Sequence, residues 1–271
     1  KDMHTNENHA ETTTAEGLQA FNTDGFTLGD NDGNYNRTGR TYVGWNWDMG
    51  GSNASNTDGS ITSTVRANPT YGQSIVKWTG NNGAGATVGH GLGSIPKIVL
   101  VKNIQQSGYD WVMYHASLGN TKRIWLNLTN AVSTNTGSWN NTTPSSSVFT
   151  LGSSGETNGS GEMIGYCFAE KKGYSKFGSY TGNGSADGTF VYTGFKPAFV
   201  IYKGAVGSAT VDNWEMADNK RSPFNGIENV LYPNLANAEG TGVTTRMDML
   251  SNGFKMRTNG TDYNGNGTTY I

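Results

Sequence analysis

The chain is poor in cysteine and in charge: Cys167 stands alone, and Asp, Glu, Lys and Arg together make up 15%. A lone cysteine excludes an intrachain disulfide, and its place in the apolar stretch MIGYCF reads as a small buried side chain rather than a reactive thiol. No apolar run approaches the roughly 20 residues of a spanning helix. A net charge of −2 provides neither a basic stripe for nucleic acid nor a polybasic patch for a membrane surface. Alanine-, leucine- and lysine-rich amphipathic stretches are missing, so little of the chain reads as helix. Lys1 is preceded by no initiator Met and begins no signal-peptide pattern, which leaves the compartment open. There is no GxSxG elbow, and His4, His9, His90 and His115 show no metal-ligand spacing. The acids Asp110, Asp212, Glu215 and Asp218 are the most clustered, but their neighbours differ between matching stretches. No catalytic residue and no cofactor is expected.

What is present is glycine (39 of 271 residues), abundant Asn, Ser and Thr, and 7 Trp, 13 Tyr and 10 Phe. Disordered chains are poor in aromatics. Many short strands joined by Gly/Asn turns fit the profile, so the predicted fold is all-β, as tandem antiparallel β-sandwich repeats of jelly-roll or Ig-like type.

The repeats are visible in the sequence itself. LGSIPKIVLVK (Leu92–Lys102) returns as TGFKPAFVIYK (Thr193–Lys203). In each, a proline (Pro96, Pro197) precedes four apolar residues and a lysine. Proline ahead of a strand gives up a donor that the ladder has not yet claimed. The runs Ile98, Val99, Leu100, Val101 and Phe199, Val200, Ile201, Tyr202 read as central strands covered on both faces, and so as core and assembly strands. Met3–Val43 aligns without a gap to Leu231–Ile271, and Asp110-Trp111 matches Asn213-Trp214. Residues 1–50 then form the C-terminal half of a unit, 51–72 a Gly/Ser/Asn-rich connector with an edge strand over Ser60–Val65, 73–170 a second unit and 171–271 a third. The short join Lys171-Lys172-Gly173 predicts fixed relative orientation, as in a stiff rod.

The closing strand of a unit reads as TYVGWNW (Thr41–Trp47) in the first copy and MIGYCFAE (Met163–Glu170) in the second. Trp45 and Trp47 point to one face, and Gly44 and Gly165 leave room for a close backbone approach. The third copy stops at Tyr270-Ile271, before its aromatic pair. Either the sequence is part of a longer one or another subunit donates the strand.

Other candidates are fewer. Asp30, Asp32 and Asn34 alternate as oxygen donors in DNDGNYN, but the glycine is misplaced for a calcium loop and an Asn/Asp/Gly hairpin turn explains the residues better. Trp111 and Trp214 are candidates for stacking on a sugar, against core packing as the commoner fate of a repeated tryptophan. Asn36, Asn127, Asn183 and Asn259 lie in N-x-S/T sequons.

The stretches YTGNGSADGTFVYTGFKPAFVIYK, NWEMADNKRSPFN and LSNGFKMRTNGTDYNGNGTTYI, with DGFTLG…TYVGWNW in the first copy, resemble an uncharacterised repeated β-domain of phage structural proteins. That family is common in marine phages and often accompanies lectin-like jelly-roll domains in tail-fibre or other virion appendage proteins. The resemblance implies an extracellular or virion location and carries no activity or catalytic residue. The expected function is therefore structural and non-enzymatic, in a self-assembling fibre with copies of itself as partner. The alternative is a lectin-like adhesion module that binds cell-surface glycan.

Overall fold

In the computed structural model, residues 1–30, 33–207, 212–240 and 245–271 are described. Strands take up 35% of the chain and helix 5%, in several antiparallel sheets. The fold is mostly β, as the composition predicts, and no helix is long and apolar enough to cross a membrane among the described residues.

The largest sheet has eight strands. From one edge they run Ser133–Thr134, Lys122–Trp125, Val112–His115, Ile98–Asn103, Gly161–Phe168, Gln73–Gly80, Ser63–Asn68 and Ala54–Asn56. Gly161–Phe168 comes last in the chain but pairs in the middle, between Gln73–Gly80 and Ile98–Asn103. Its side chains alternate strictly: Met163, Gly165 and Cys167 are buried on one face, and Ile164, Tyr166 and Phe168 are half-buried on the other. Gly165 sits where a Cβ would lie 3.0 Å from Cζ3 of Trp78, the close approach a small residue permits. The stretch 51–72 contributes two strands at the far edge, somewhat displaced from the expected Ser60–Val65.

Val99 and Val101 are fully buried in a core with Trp78, Val112, Phe149 and Met163. Ile98 and Leu100, on the other face, pack on a second cluster that includes Trp111, Met113, Trp214 and Ile271. Both faces of this strand are covered, as four consecutive apolar residues predict.

The C-terminal part has shorter strands around its own core of Tyr202, Ala217, Ile227, Val230, Met247, Met249, Phe254 and Met256. Phe199–Tyr202 is not the central strand its sequence suggested. Among the described residues it pairs only with Glu215–Asp218. Thr269–Tyr270 inserts between Tyr180–Thr181 and Gly204–Val206, and does not extend along Phe199–Tyr202 as Gly161–Phe168 extends along Ile98–Asn103.

One further expectation is corrected. Thr41–Trp47 forms no strand, because no strands lie beside it as Gln73–Gly80 and Ile98–Asn103 lie beside Gly161–Phe168. Backbone groups without ladder partners have no reason to stay in a pleat. Trp45 is half-buried and Trp47 exposed, and both rings pack edge-on against Phe199, with centroids 5.5 and 6.3 Å away. Thr5 Oγ1 donates to the Pro233 carbonyl at 2.8 Å, so the N-terminal stretch packs against the C-terminal part.

Candidate functional site

The second apolar cluster gathers residues from three regions of the chain: Met3 from the N-terminus, Trp111, Met113, Ile124 and Leu126 from the large sheet, and Ala205, Trp214 and Ile271 from the C-terminal part. This seam repeats its own contacts. Trp111 Nε1 donates to the His4 carbonyl (3.1 Å), and Trp214 Nε1 donates to the Trp125 carbonyl (2.7 Å). The Glu11 amide donates to the Ile104 carbonyl (3.0 Å), and the Val132 amide to the Ala205 carbonyl (3.1 Å). His4 precedes Glu11 by the same spacing as Trp125 precedes Val132. A tryptophan and a carbonyl of one region thus grip an equally spaced strip of the preceding region, twice. In the gapless match of Met3–Val43 to Leu231–Ile271, that strip recurs as Tyr232–Glu239.

Each tryptophan is held by the same device. Asn127 Oδ1 accepts from the Trp111 amide (3.0 Å) while its Nδ2 donates to Asp110 (2.7 Å). Asn234 Oδ1 accepts from the Trp214 amide (3.0 Å) while its Nδ2 donates to Asn213 (2.7 Å). Trp111 and Trp214 are only 3% and 2% exposed, so their rings pack in the core, the commoner fate of a repeated tryptophan, and neither offers a face to a sugar. Asn127 is buried with its amide committed, which removes it as a glycosylation acceptor in the folded chain. Asn36, Asn183 and Asn259 are exposed.

The lysines that end the two apolar runs also serve the seam. Lys102 Nζ donates to the Asn8 and Asn103 carbonyls, and Lys203 Nζ to the Leu128 and Asp212 carbonyls. Burial pushes both ammonium groups down to about 8, partly opposed by Asp110 and Asp212 respectively. A lysine ending an apolar run at the same position in both copies is the sequence signal for this pair.

The acidic side chains do not converge on an open site. Asp110 holds Asn127, Asp218 pairs with Arg221, and Glu215 accepts from Tyr202 (2.6 Å) in a buried cluster with Arg246. Desolvation raises the Glu215 carboxyl, with Tyr202 and Arg246 opposing it. Among the described residues no three His, Cys, Asp or Glu side chains gather as metal ligands. Asp30 and Asn34 are exposed, and Asp32 lies outside the described residues. An open polar cleft of about 670 Å³ is lined by Arg123, Asn135, Thr136, Ser154 and Glu156 among others, with Arg123 and Glu156 paired inside it.

These features define a mostly-β protein in which Trp111 and Trp214 dock stretches distant in the chain. The chain belongs to the family of the domain of unknown function DUF7483, whose model matches residues 1–271. No curated protein and no solved structure matches it.

Proposed function

We propose that the chain is a structural, non-enzymatic protein of an extracellular fibre or virion appendage, built from tandem β-sandwich units. The observation that carries this reading is the doubled seam contact, in which Trp111 and Trp214 each grip an equally spaced strip of the region before. Equivalent interfaces between successive units are how modular β-proteins stack, because each unit buries apolar surface only against its neighbour. Asp110 and Asn127, and Asn213 and Asn234, are spent on holding this packing. A head-to-tail contact of this kind either closes into a ring or continues into a filament. Within the chain it turns back on itself, as the Thr5–Pro233 bond indicates, so continuation falls to contacts between copies. Electron microscopy of the protein over a concentration series tests the reading. Oligomers or filaments are expected, and a monodisperse particle that binds polysaccharide on a glycan array would favour the adhesion reading, with the polar cleft at Arg123 and Glu156 as its first candidate site.

A further inference from the structure

The polar cleft at Arg123 and Glu156 is assembled from separate short elements. Arg123 and Trp125 lie two apart on the strand Lys122–Trp125 and share a face, and the Arg123 guanidinium carbon rests 4.6 Å from the centre of the Trp125 ring. Glu156 comes from the one-turn helix Gly155–Asn158. Its Oε2 accepts from Arg123 Nη1, and its Oε1 accepts from Trp125 Nε1 at 3.1 Å. Asn135, Thr136 and Ser153 add amide and hydroxyl groups to the lining. Thr136 opens a second one-turn helix, Thr136–Trp139, and the two turns are pinned together. The Ser154 amide donates to the Gly137 carbonyl (2.9 Å), and Thr157 Oγ1 donates to the Ser138 carbonyl (3.1 Å). The cleft is therefore formed before any ligand arrives.

Packing alone does not account for the trio Arg123, Trp125 and Glu156. The helix Thr261–Asn264 in the C-terminal part is anchored in the same way as Gly155–Asn158. Asn158 Nδ2 donates to Asn81 Oδ1 (2.9 Å) and to the Gly83 carbonyl (2.8 Å), and Asn264 Nδ2 donates to Asn183 Oδ1 and to the Ser185 carbonyl (both 2.8 Å). Met113 pairs with Ile124 as Met216 pairs with Leu231, which sets Val230, Tyr232 and Asp262 at the places of Arg123, Trp125 and Glu156. That helix is thus held with no arginine at the position of Arg123. The Arg123 and Glu156 side chains are only 16% and 19% exposed, and an ion pair so far from water adds little net stability.

The pairing also selects the ligand class. The cleft's one cation and one anion offset each other, so an anion has to displace Glu156 from Arg123 and a cation has to do the reverse. The hydroxyl and amide lining gives an apolar ligand no wall. Hydrogen-bonding capacity of both kinds is left over. Among the described residues Arg123 spends only Nη1, its Nε is buried with no acceptor, and each Glu156 oxygen keeps a further lone pair. A sugar hydroxyl donates and accepts at once, so neighbouring hydroxyls can bridge the arginine and the carboxylate. A volume of about 670 Å³ lies within the range of small-ligand sites, about 300–1,000 Å³. We propose that this cleft binds a short uncharged saccharide. The inference rests on the adhesion reading above, for which it names the site and the ligand class, and it leaves the structural reading independent.

Saturation-transfer NMR and calorimetry on the full chain test it. The probes are the neutral trisaccharides of glucose, galactose, mannose and N-acetylglucosamine, with tri-galacturonate as the anionic control. At least one neutral trisaccharide is expected to bind. Glu156→Gln keeps the size and removes the charge. It should weaken that binding about fivefold, as loss of one hydrogen bond does, and should bring in tri-galacturonate because Arg123 is then uncompensated. Thr136→Val, at an exposed position, should weaken the neutral sugar with an unchanged circular dichroism spectrum, and it carries the test if Glu156→Gln fails to fold. Sugar binding that neither variant alters would overturn the proposal and leave the adhesion reading with a site elsewhere. A preference of the unmodified protein for tri-galacturonate would also overturn it. No binding of any probe would overturn the proposal, and a blank glycan array would take the adhesion reading with it.

Discussion

At the scale of single residues, the fold depends on small spaces and dry polar atoms. Gly165 is the clearest case, since a methyl group there meets the Trp78 ring at 3.0 and 3.3 Å in the middle of the largest sheet. Gly165→Ala should cost about 1–3 kcal/mol, as overpacking of a filled core does, measured by urea denaturation. His115 gives a pH signature. It is buried, and its Nδ1 accepts from the Ser117 amide, so the ring is assigned neutral with the proton on Nε2. Burial lowers its pKa from 6.5 to about 4. Between those values the unfolded chain binds the proton and the folded one does not, so stability is lost as pH falls from 6.5 towards 4. The loss attributable to this residue is about 3 kcal/mol. His90, lowered by burial as well, acts in the same direction. His115→Asn keeps an acceptor for the Ser117 amide, and its stability should depend less on pH over that range than the parent's does.

At the scale of elements, the two tryptophans are equivalent parts of one device. Trp111→Phe and Trp214→Phe each remove an indole hydrogen bond from the seam, at a cost of about 1 kcal/mol. The two variants should lose similar stability in thermal denaturation. A large loss at one position and none at the other would mean that the two contacts are not the same interface. Much of this was legible in the sequence. The proline-led apolar runs located both strands, and the repeated tryptophans marked equivalent places. The strand pattern was right for Ile98–Val101 because both of its neighbours are present. It failed for Thr41–Trp47 and overstated Phe199–Tyr202, because a strand needs a partner and alternation of side chains does not say whether one is within reach. The role of Trp111 and Trp214 was legible as packing or as sugar binding, and only the burial of their rings separates these. Asn127 and Asn234 were not recognised at all as the residues that hold them. Their contacts run to the residue before each tryptophan, Asp110 and Asn213, and no local pattern joins the two stretches.

At the scale of the whole molecule, the chain bends back so that Met3, Trp111, Trp214 and Ile271 share one apolar cluster. The seam therefore serves to hold the chain together. A fibre or virion appendage, as proposed, also requires association between chains. Sedimentation velocity over a wide concentration range measures that association for the unmodified protein. The structural account predicts that mean mass rises with concentration. A single species of monomer mass at every concentration would contradict it.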